Sequence, residues 1–172
     1  MSFGENIKML SANCQGLRDT KKRIDVLNYF KEKNVDILCL QDTHWVEKDE
    51  PLIRALWGNE CIIYGFKTNA RGLAILFGKK FEYKVKNIDK SKDANMLIVD
   101  ITVSDFELKL VNIYGPNIDS PAFYHHLGSI IESNRQNYLL LCGDFNLVLN
   151  PSMDCKNYIN INNPNARNNY LQ

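Results

Sequence analysis

Residues 36–45 read DILCLQDTHW, an apolar run that stops at a group of polar side chains. Its apolar part, Ile37–Leu40, is short and unbroken, which predicts a strand, Asp36–Gln41, buried on both faces. Ligand sites in α/β proteins lie just outside the carboxyl ends of strands. We therefore expect Asp42, the first residue after this strand, to lie at a functional site.

The residues before this strand predict a strand–helix–strand opening. Ile7–Asn13 has the pattern of a short strand, and Lys21–Lys33 has the apolar spacing of a helix. Thr20 is the expected N-cap of that helix, and Asn34 is expected to adopt the left-handed conformation at its end. Together with the strand at 36–41, these segments form a βαβ-like opening.

The middle of the chain predicts antiparallel β structure. Its short apolar segments are joined by short links, and they are Cys61–Tyr64, Leu73–Phe77, Phe81–Ile88, Leu97–Val103 and Phe106–Tyr114. The link Ser104-Asp105 is two residues long and predicts a tight hairpin.

The last part of the chain adds a helix, a strand and a polar tail. Ser120-Pro121 is expected to open a helix that runs to about Ser133, and Tyr138–Cys142 is expected to be a buried strand. Asn157–Asn169 contains seven asparagines in thirteen residues, which predicts a loop. The predicted fold is α/β, a two-layer β-sandwich flanked by helices, in one domain that covers residues 1–172.

Composition excludes several classes of protein. Hydrophobic residues make up 45% of the 172 residues and charged residues 24%, which is typical of a globular protein and not of a disordered, collagen-like or membrane protein. The formal net charge is +1, so any affinity for nucleic acid must come from a local patch. The five cysteines include no C-x-x-C pair, which argues against both a disulfide framework and a zinc site. We expect an intracellular protein with no membrane partner.

Four predicted strands end in polar residues. The ends are Asn13-Cys14-Gln15-Gly16, Gln41-Asp42-Thr43-His44, Asn112-Ile113-Tyr114-Gly115-Pro116 and Gly143-Asp144-Phe145-Asn146. Taken singly, each is more often a turn or a cap than a site. If the four ends share one rim, they gather five candidates, which are Asn13, Asp42, Tyr114, Asp144 and Asn146. Carboxylate and amide oxygens suit Mg²⁺ or Mn²⁺, so this set favours phosphoryl chemistry.

The same ordered set resembles the endonuclease/exonuclease/phosphatase superfamily, which has the DNase I-like fold and includes apurinic-site nucleases. Two further stretches, 13–17 (NCQGL) and 71–77 (RGLAILF), look like the apurinic-type endonuclease domain of LINE-type non-LTR retrotransposons, as does the opening stretch 36–45. The resemblance runs from about Ile7 to Asp154.

The resemblance implies a role for each candidate. Asp42 would bind the metal, and Asn13 would help to place the metal and the scissile phosphate. Asp144 would orient or deprotonate the attacking water. Asn146 would hold a phosphate oxygen, and the Tyr114 hydroxyl would contact the phosphate. The cofactor, Mg²⁺ or Mn²⁺, would act as a Lewis acid on the leaving 3′ oxygen.

The implied function is a DNA endonuclease that nicks one strand, as in target-primed reverse transcription. DNA is then the expected partner, and a reverse-transcriptase domain is expected in the parent polyprotein. The endonuclease is expected to be monomeric and to act in the nucleus. Two alternatives stay open. One is another enzyme of the superfamily, such as a phosphatase, and the other is a non-catalytic relic or fragment.

Two departures from the family pattern affect these expectations. The family usually has Glu where this chain has Asp42, which shortens the side chain by roughly 1.5 Å and predicts weaker metal binding. The family also completes its site with a downstream Asp and a C-terminal Ser-Asp-His, whereas the histidines here are His44, His125 and His126. We therefore expect a domain that is incomplete at its C-terminus, lacks the final strands of the second sheet and is weakly active or inactive.

Basic residues near the expected rim are candidates for contact with DNA. Lys21, Lys22 and Arg23 open the first predicted helix, and Arg71 precedes a predicted strand. Each could bind the phosphate backbone. The alternative for the helix is a solvated surface with no ligand.

Overall fold

The computed structural model describes residues 6–66, 70–135, 137–148, 150, 153 and 164–170. The strands in these ranges are β1 (Met9–Asn13), β2 (Ile37–Gln41), β3 (Cys61–Tyr64), β4 (Leu73–Phe77), β5 (Lys84–Lys90), β6 (Met96–Val103), β7 (Phe106–Tyr114) and β8 (Tyr138–Asp144). The helices are α1 (Thr20–Glu32), α2 (Glu50–Trp57), α3 (Pro121–Ser133) and α4 (Pro164–Tyr170), with a 3-10 turn at Glu47–Asp49.

The strands form two four-stranded sheets, with the orders β1-β2-β4-β3 and β5-β6-β7-β8. Each sheet contains one parallel pair, β1 with β2 and β7 with β8, and its other pairs are antiparallel. Helix α1 connects the first parallel pair and α3 the second. A helical crossover returns the chain so that both strands end on the same side, and each sheet therefore presents two adjacent carboxyl ends.

The core between the sheets follows from the alternation of side chains along the strands. Ile37 and Cys39 of β2 face Val99 and Leu110 of the other sheet, within one buried cluster. The opposite face of the first sheet packs against α1 and α2, where the buried residues include Leu38, Leu40, Leu27, Phe30, Ile53 and Trp57. Strand β2 is therefore buried on both faces, as its unbroken apolar run predicted.

Helix α1 begins one residue earlier than expected, and Thr20 is not its N-cap. The cap is Asp19, whose side chain accepts a hydrogen bond from the Lys22 N–H at 2.8 Å. Asp and Thr can both cap a helix, so the sequence alone did not distinguish Asp19 from Thr20 as the N-cap. Asn34 takes the expected left-handed conformation, with φ +50°.

Several segments differ from the sequence predictions, among them β8, which runs to Asp144 and is partly exposed rather than buried. Helix α2 was not predicted, although Pro51 lies in its first turn and Gly58 ends it at φ +87°. Strand β5 spans Lys84–Lys90 rather than Phe81–Ile88. The predicted loop Asn157–Asn169 is wrong from residue 164 onward, where α4 begins, and residues 157–163 lie outside the described ranges.

Helix α4 forms despite its asparagines because a residue distant in sequence caps it. The Asp119 carboxylate accepts hydrogen bonds from the backbone N–H groups of Asn165 and Ala166, at 3.0 and 3.1 Å. Ala166 is fully buried, and α4 packs on α3. None of the helices in the described ranges is long and apolar enough to cross a lipid bilayer.

Candidate active site

Polarity increases in steps along the space between the two sheets. Three layers of inward-facing residues follow from the register of the two parallel pairs. The innermost layer is Met9, Ile37, Leu110 and Leu140; the next is Ser11, Cys39, Asn112 and Cys142; the outermost is Asn13, Gln41, Tyr114 and Asp144. The polar residues predicted at four separate strand ends therefore lie together at one mouth of the sandwich.

Two buried carboxamides join the sheets beneath this mouth. Gln41 Nε2 donates to Asn112 Oδ1 at 2.8 Å, and Asn112 Nδ2 donates to the backbone carbonyls of Leu40 and Ala74 at 3.1 and 3.0 Å. Gln41 and Asn112 are 1% and 0% exposed. Because the Asn112 carboxamide is bonded at both its nitrogen and its oxygen, its burial links the two sheets without leaving a polar group unsatisfied.

Asp42 lies in a loop that the backbone holds on both sides. Its carbonyl accepts the Gly16 N–H at 2.7 Å, and the next residue, Thr43, donates its N–H to Gly72 O at 3.0 Å. Asp42 itself has φ +51°, a left-handed conformation that turns the chain out of β2. The carboxylate, 18% exposed, lies 3.1 Å from His44 Nε2 through Oδ1.

Asp144 is oriented by two hydrogen bonds at the end of β8. Asn13 Nδ2 donates to its Oδ2 at 2.6 Å, across the gap between the sheets. The backbone N–H of Asn146 donates to its Oδ1 at 2.9 Å. The Asn146 side chain in turn donates to Gly115 O at 2.8 Å. Both carboxylate oxygens of Asp144 are thus held as hydrogen-bond acceptors.

Tyr114 completes the group. Burial raises the pKa of its phenol, and the nearby Asp42 carboxylate raises it further, with a smaller contribution from Asp144. Hydrogen bonds from Asn117 and Asn146 act in the opposite direction on this pKa. The phenol therefore remains protonated at neutral pH and can act as a hydrogen-bond donor. The structure brings all five sequence-predicted residues together.

Glycine at position 143 permits this close arrangement. A Cβ on Gly143 would lie 2.0 Å from the carbonyl oxygen of Ile113, and its φ is +140°. Gly143 is paired with Ile113 in the sheet, one residue before Asp144. A larger residue would push β8 away from β7 next to Asp144.

The donor set fits a hard divalent cation. Asp42 supplies carboxylate oxygens and Asn13 an amide oxygen, Oδ1, which accepts the Gln15 N–H at 3.0 Å. Mg²⁺ is commonly held by one or two carboxylates while it keeps several waters. No cluster of three or more His, Cys, Asp or Glu that could hold a metal occurs in the described residues. The contact between His44 and Asp42 was not predicted, although the spacing of two residues between them could have suggested it.

Three of the four basic candidates already bind protein groups. Lys22 Nζ donates to the carbonyls of Cys14 and Gln15 at 2.8 and 2.9 Å. The Arg23 guanidinium contacts local backbone carbonyls, and Arg71 NH1 donates to the Asp93 carbonyl at 3.0 Å. Lys21 is exposed on α1. Contact of these residues with DNA stays a prediction.

Comparison with known proteins identifies the family of this chain. The family described as endonuclease/exonuclease/phosphatase matches residues 10–156. The chain belongs to this family. The match includes each of the five gathered residues, and both the family and the two-sheet α/β fold predicted from the sequence are confirmed.

Individual relatives are distant and longer than the chain. An exodeoxyribonuclease of Bacillus subtilis (strain 168) is 27% identical over 164 residues, which cover 88% of this chain and 62% of that protein. The uncharacterized 149 kDa protein of transposon TX1 from Xenopus laevis is 21% identical over 146 residues, 83% of this chain and 11% of that protein. A solved 3′ phosphatase from Neisseria, bound to a product DNA hairpin, has a TM-score of 0.70 at 19% identity, covering 96% of this chain and 69% of that one. The last likeness is one of fold.

Proposed function

We propose that this chain carries the metal-binding and water-activating residues of a divalent-metal-dependent DNA endonuclease, which hydrolyses a phosphodiester bond and nicks one strand. The observation that carries the proposal is the meeting of two carboxylates and a protonated phenol at one mouth of the sandwich. Asn13 bridges the two sheets there by its bond to Asp144, and Tyr114 lies close to both carboxylates.

Asp42 and Asn13 would hold the cation, Mg²⁺ or Mn²⁺. When bound, the cation supplies positive charge that stabilises the leaving 3′ oxygen. Asp144, fixed as an acceptor by Asn13 and by the Asn146 N–H, orients a water and takes its proton. Tyr114, whose raised pKa keeps it protonated, donates to a phosphate oxygen. The Asn146 side chain lies beside this phenol and would hold the same phosphate.

We further propose a retroelement origin of the LINE type. The retroelement origin is supported by the residues of stretches 13–17, 36–45 and 71–77. It is also supported by similarity to a transposon protein, of which the matching segment makes up only 11%. A reverse-transcriptase domain in the same polyprotein, a monomeric endonuclease and action on nuclear DNA belong to this proposal.

Manganese binding tests the metal site without requiring activity. Free Mn²⁺ is measured by electron paramagnetic resonance during titration of the wild type, Asp42→Ala and Asp105→Ala. Asp105 is a matched control because it is exposed in the β6–β7 link, at the other end of β7 from Tyr114. We expect binding to be lost in Asp42→Ala and retained in Asp105→Ala. Equal binding by all three proteins would remove Asp42 from the site.

Relaxation of supercoiled plasmid tests the reaction. Because the chain spans 62% of the exodeoxyribonuclease relative, the assay uses both this chain and the longest protein that its reading frame encodes. Nicking that requires Mg²⁺ and disappears in Asp144→Ala supports the endonuclease. Absence of nicking from both proteins contradicts it. Release of phosphate from a 3′-phosphorylated oligonucleotide, without nicking, would favour the phosphatase alternative.

A further inference from the structure

Asn95, just before β6, is buried and bonded at every polar atom. It is 5% exposed and follows Ala94, which has φ +50°. Its backbone N–H donates to Ser91 Oγ at 3.1 Å. Its backbone carbonyl accepts the Tyr114 N–H at 2.8 Å, and its side-chain Nδ2 donates to the Tyr114 carbonyl at 2.5 Å. One residue thus holds both polar groups of the Tyr114 backbone.

Arg71 fixes the orientation of this carboxamide. Arg71 NH1 donates to Asn95 Oδ1 and to the Asp93 carbonyl, each at 3.0 Å. The guanidinium also lies 4.9 Å from the centroid of the Phe66 ring. Because a guanidinium has only donors and a carbonyl only accepts, the Asn95 amide has one orientation that satisfies both neighbours.

The same arginine reaches the metal side of the site through its backbone. The carbonyl of Arg71 accepts the His44 N–H at 2.7 Å, and the His44 side chain contacts Asp42. A continuous set of bonds therefore runs from the Asp42 loop, through Arg71 and Asn95, to the end of β7 at Tyr114.

We infer that Arg71 and Asn95 are positioning residues for Tyr114, which set the place of its phenol relative to Asp42. This inference rests on the proposed function for its catalytic consequence, but the placement itself is independent of that function. It gives Arg71 a role inside the protein in place of contact with the DNA backbone. Asn is required at position 95, because the nearly isosteric Asp cannot donate to the Tyr114 carbonyl.

The placement is tested by fluorine NMR of protein labelled with 3-fluorotyrosine. The chain has eight tyrosines, and the signal missing from Tyr114→Phe identifies the one of interest. We expect Asn95→Ala, Asn95→Asp and Arg71→Ala each to move the Tyr114 signal by more than its linewidth. Arg71→Lys, which keeps a hydrogen-bond donor, should return the Tyr114 signal part of the way to its wild-type position. Asn95→Asp preserves side-chain volume, so it remains informative if Asn95→Ala fails to fold.

Asn59 provides a matched control. Its carboxamide also donates to backbone carbonyls, those of Phe77 and Gly78, at the opposite end of the first sheet. Asn59→Ala should lower stability while the Tyr114 signal stays in place. Arg71→Ala could instead leave the Tyr114 signal unchanged, weaken binding of a DNA duplex and reduce the salt dependence of that binding. This result would overturn the inference and make Arg71 a DNA contact.

Kinetics separate this inference from the proposed function. In a protein that nicks plasmid, Asn95→Asp should lower kcat by roughly 10- to 100-fold with little change in KM, because misplacement of a catalytic group acts on the chemical step. In the Tyr114→Phe background the same substitution should have almost no further effect. Full additivity of the two losses would overturn the inference. Absence of nicking from both this chain and the longer protein would refute the function and leave the NMR result to decide the placement.

Discussion

Replacement of Asn112 with alanine should cost about 3 kcal/mol of the free energy of unfolding. The side chain makes three hydrogen bonds, to Gln41, Leu40 and Ala74, at 2.8, 3.1 and 3.0 Å. Each contributes about 1 kcal/mol, since the residue is 0% exposed and water cannot replace its bonds. With a urea dependence of about 2 kcal/mol per molar, the midpoint of unfolding should fall by about 1.5 M.

The measurement is urea unfolding followed by tryptophan fluorescence and far-UV circular dichroism. Asn87→Ala is the control, because Asn87 is exposed on β5 and its loss should change stability by less than about 0.5 kcal/mol. A loss at Asn112 no larger than at Asn87 would refute the reasoning that this carboxamide joins the sheets. A change in the urea dependence itself would show that the native or unfolded state had altered.

Two further predictions concern backbone geometry and pH. Gly143→Ala should lower the free energy of unfolding by roughly 3 kcal/mol or more, because the added Cβ would meet Ile113 O at 2.0 Å. Gly58→Ala, at φ +87° with no atom within 4 Å of the added Cβ, should lower it by about 1 kcal/mol. Thermal unfolding compares the two variants, and equal losses of stability would contradict the steric argument. Burial raises the pKa of the Cys14 and Cys61 thiols from 9.0 to about 12. Their contribution to stability is therefore fully present below pH 9 and is lost as pH rises toward 12, because the unfolded thiols ionise first. Urea unfolding at pH 8 to 11 should show a shallower decline for Cys61→Ala than for the wild type, and an unchanged slope would exclude this thiol as a cause.

The parts of the fold that were predictable are those whose signal is local. The run Ile37–Leu40 is unbroken in its apolar residues and is followed at once by polar residues, so its burial and the polar end of its strand could both be inferred. The hairpin at Ser104-Asp105 was equally readable, and Ser104 takes the left-handed conformation there, with φ +51°. The gathering of Asn13 and Asp144 followed from the general position of ligand sites at strand ends.

The features that could not be predicted depend on partners distant in the chain. Helix α4 relies on Asp119, 46 residues before the Asn165 N–H that it caps. Asn95 belongs to no motif, and its importance comes from Arg71 and Tyr114, which lie 24 and 19 residues away. Helix α2 has only eight residues, which is too short for its apolar spacing to stand out.

The bond between Asn13 and Asp144 joins residues that are 131 positions apart. Closing so long a loop has an entropic cost, which contacts formed in between reduce, so we expect this bond to form late in folding. During synthesis the nascent chain presents Asp42 well before β8 emerges, and Asp144 can bond Asn13 only when the two sheets have docked. A nascent chain that ends before residue 144 contains all four strands of the first sheet, the last of which in sequence ends at Phe77, but lacks Asp144. The two carboxylates therefore meet only after β8 has been made.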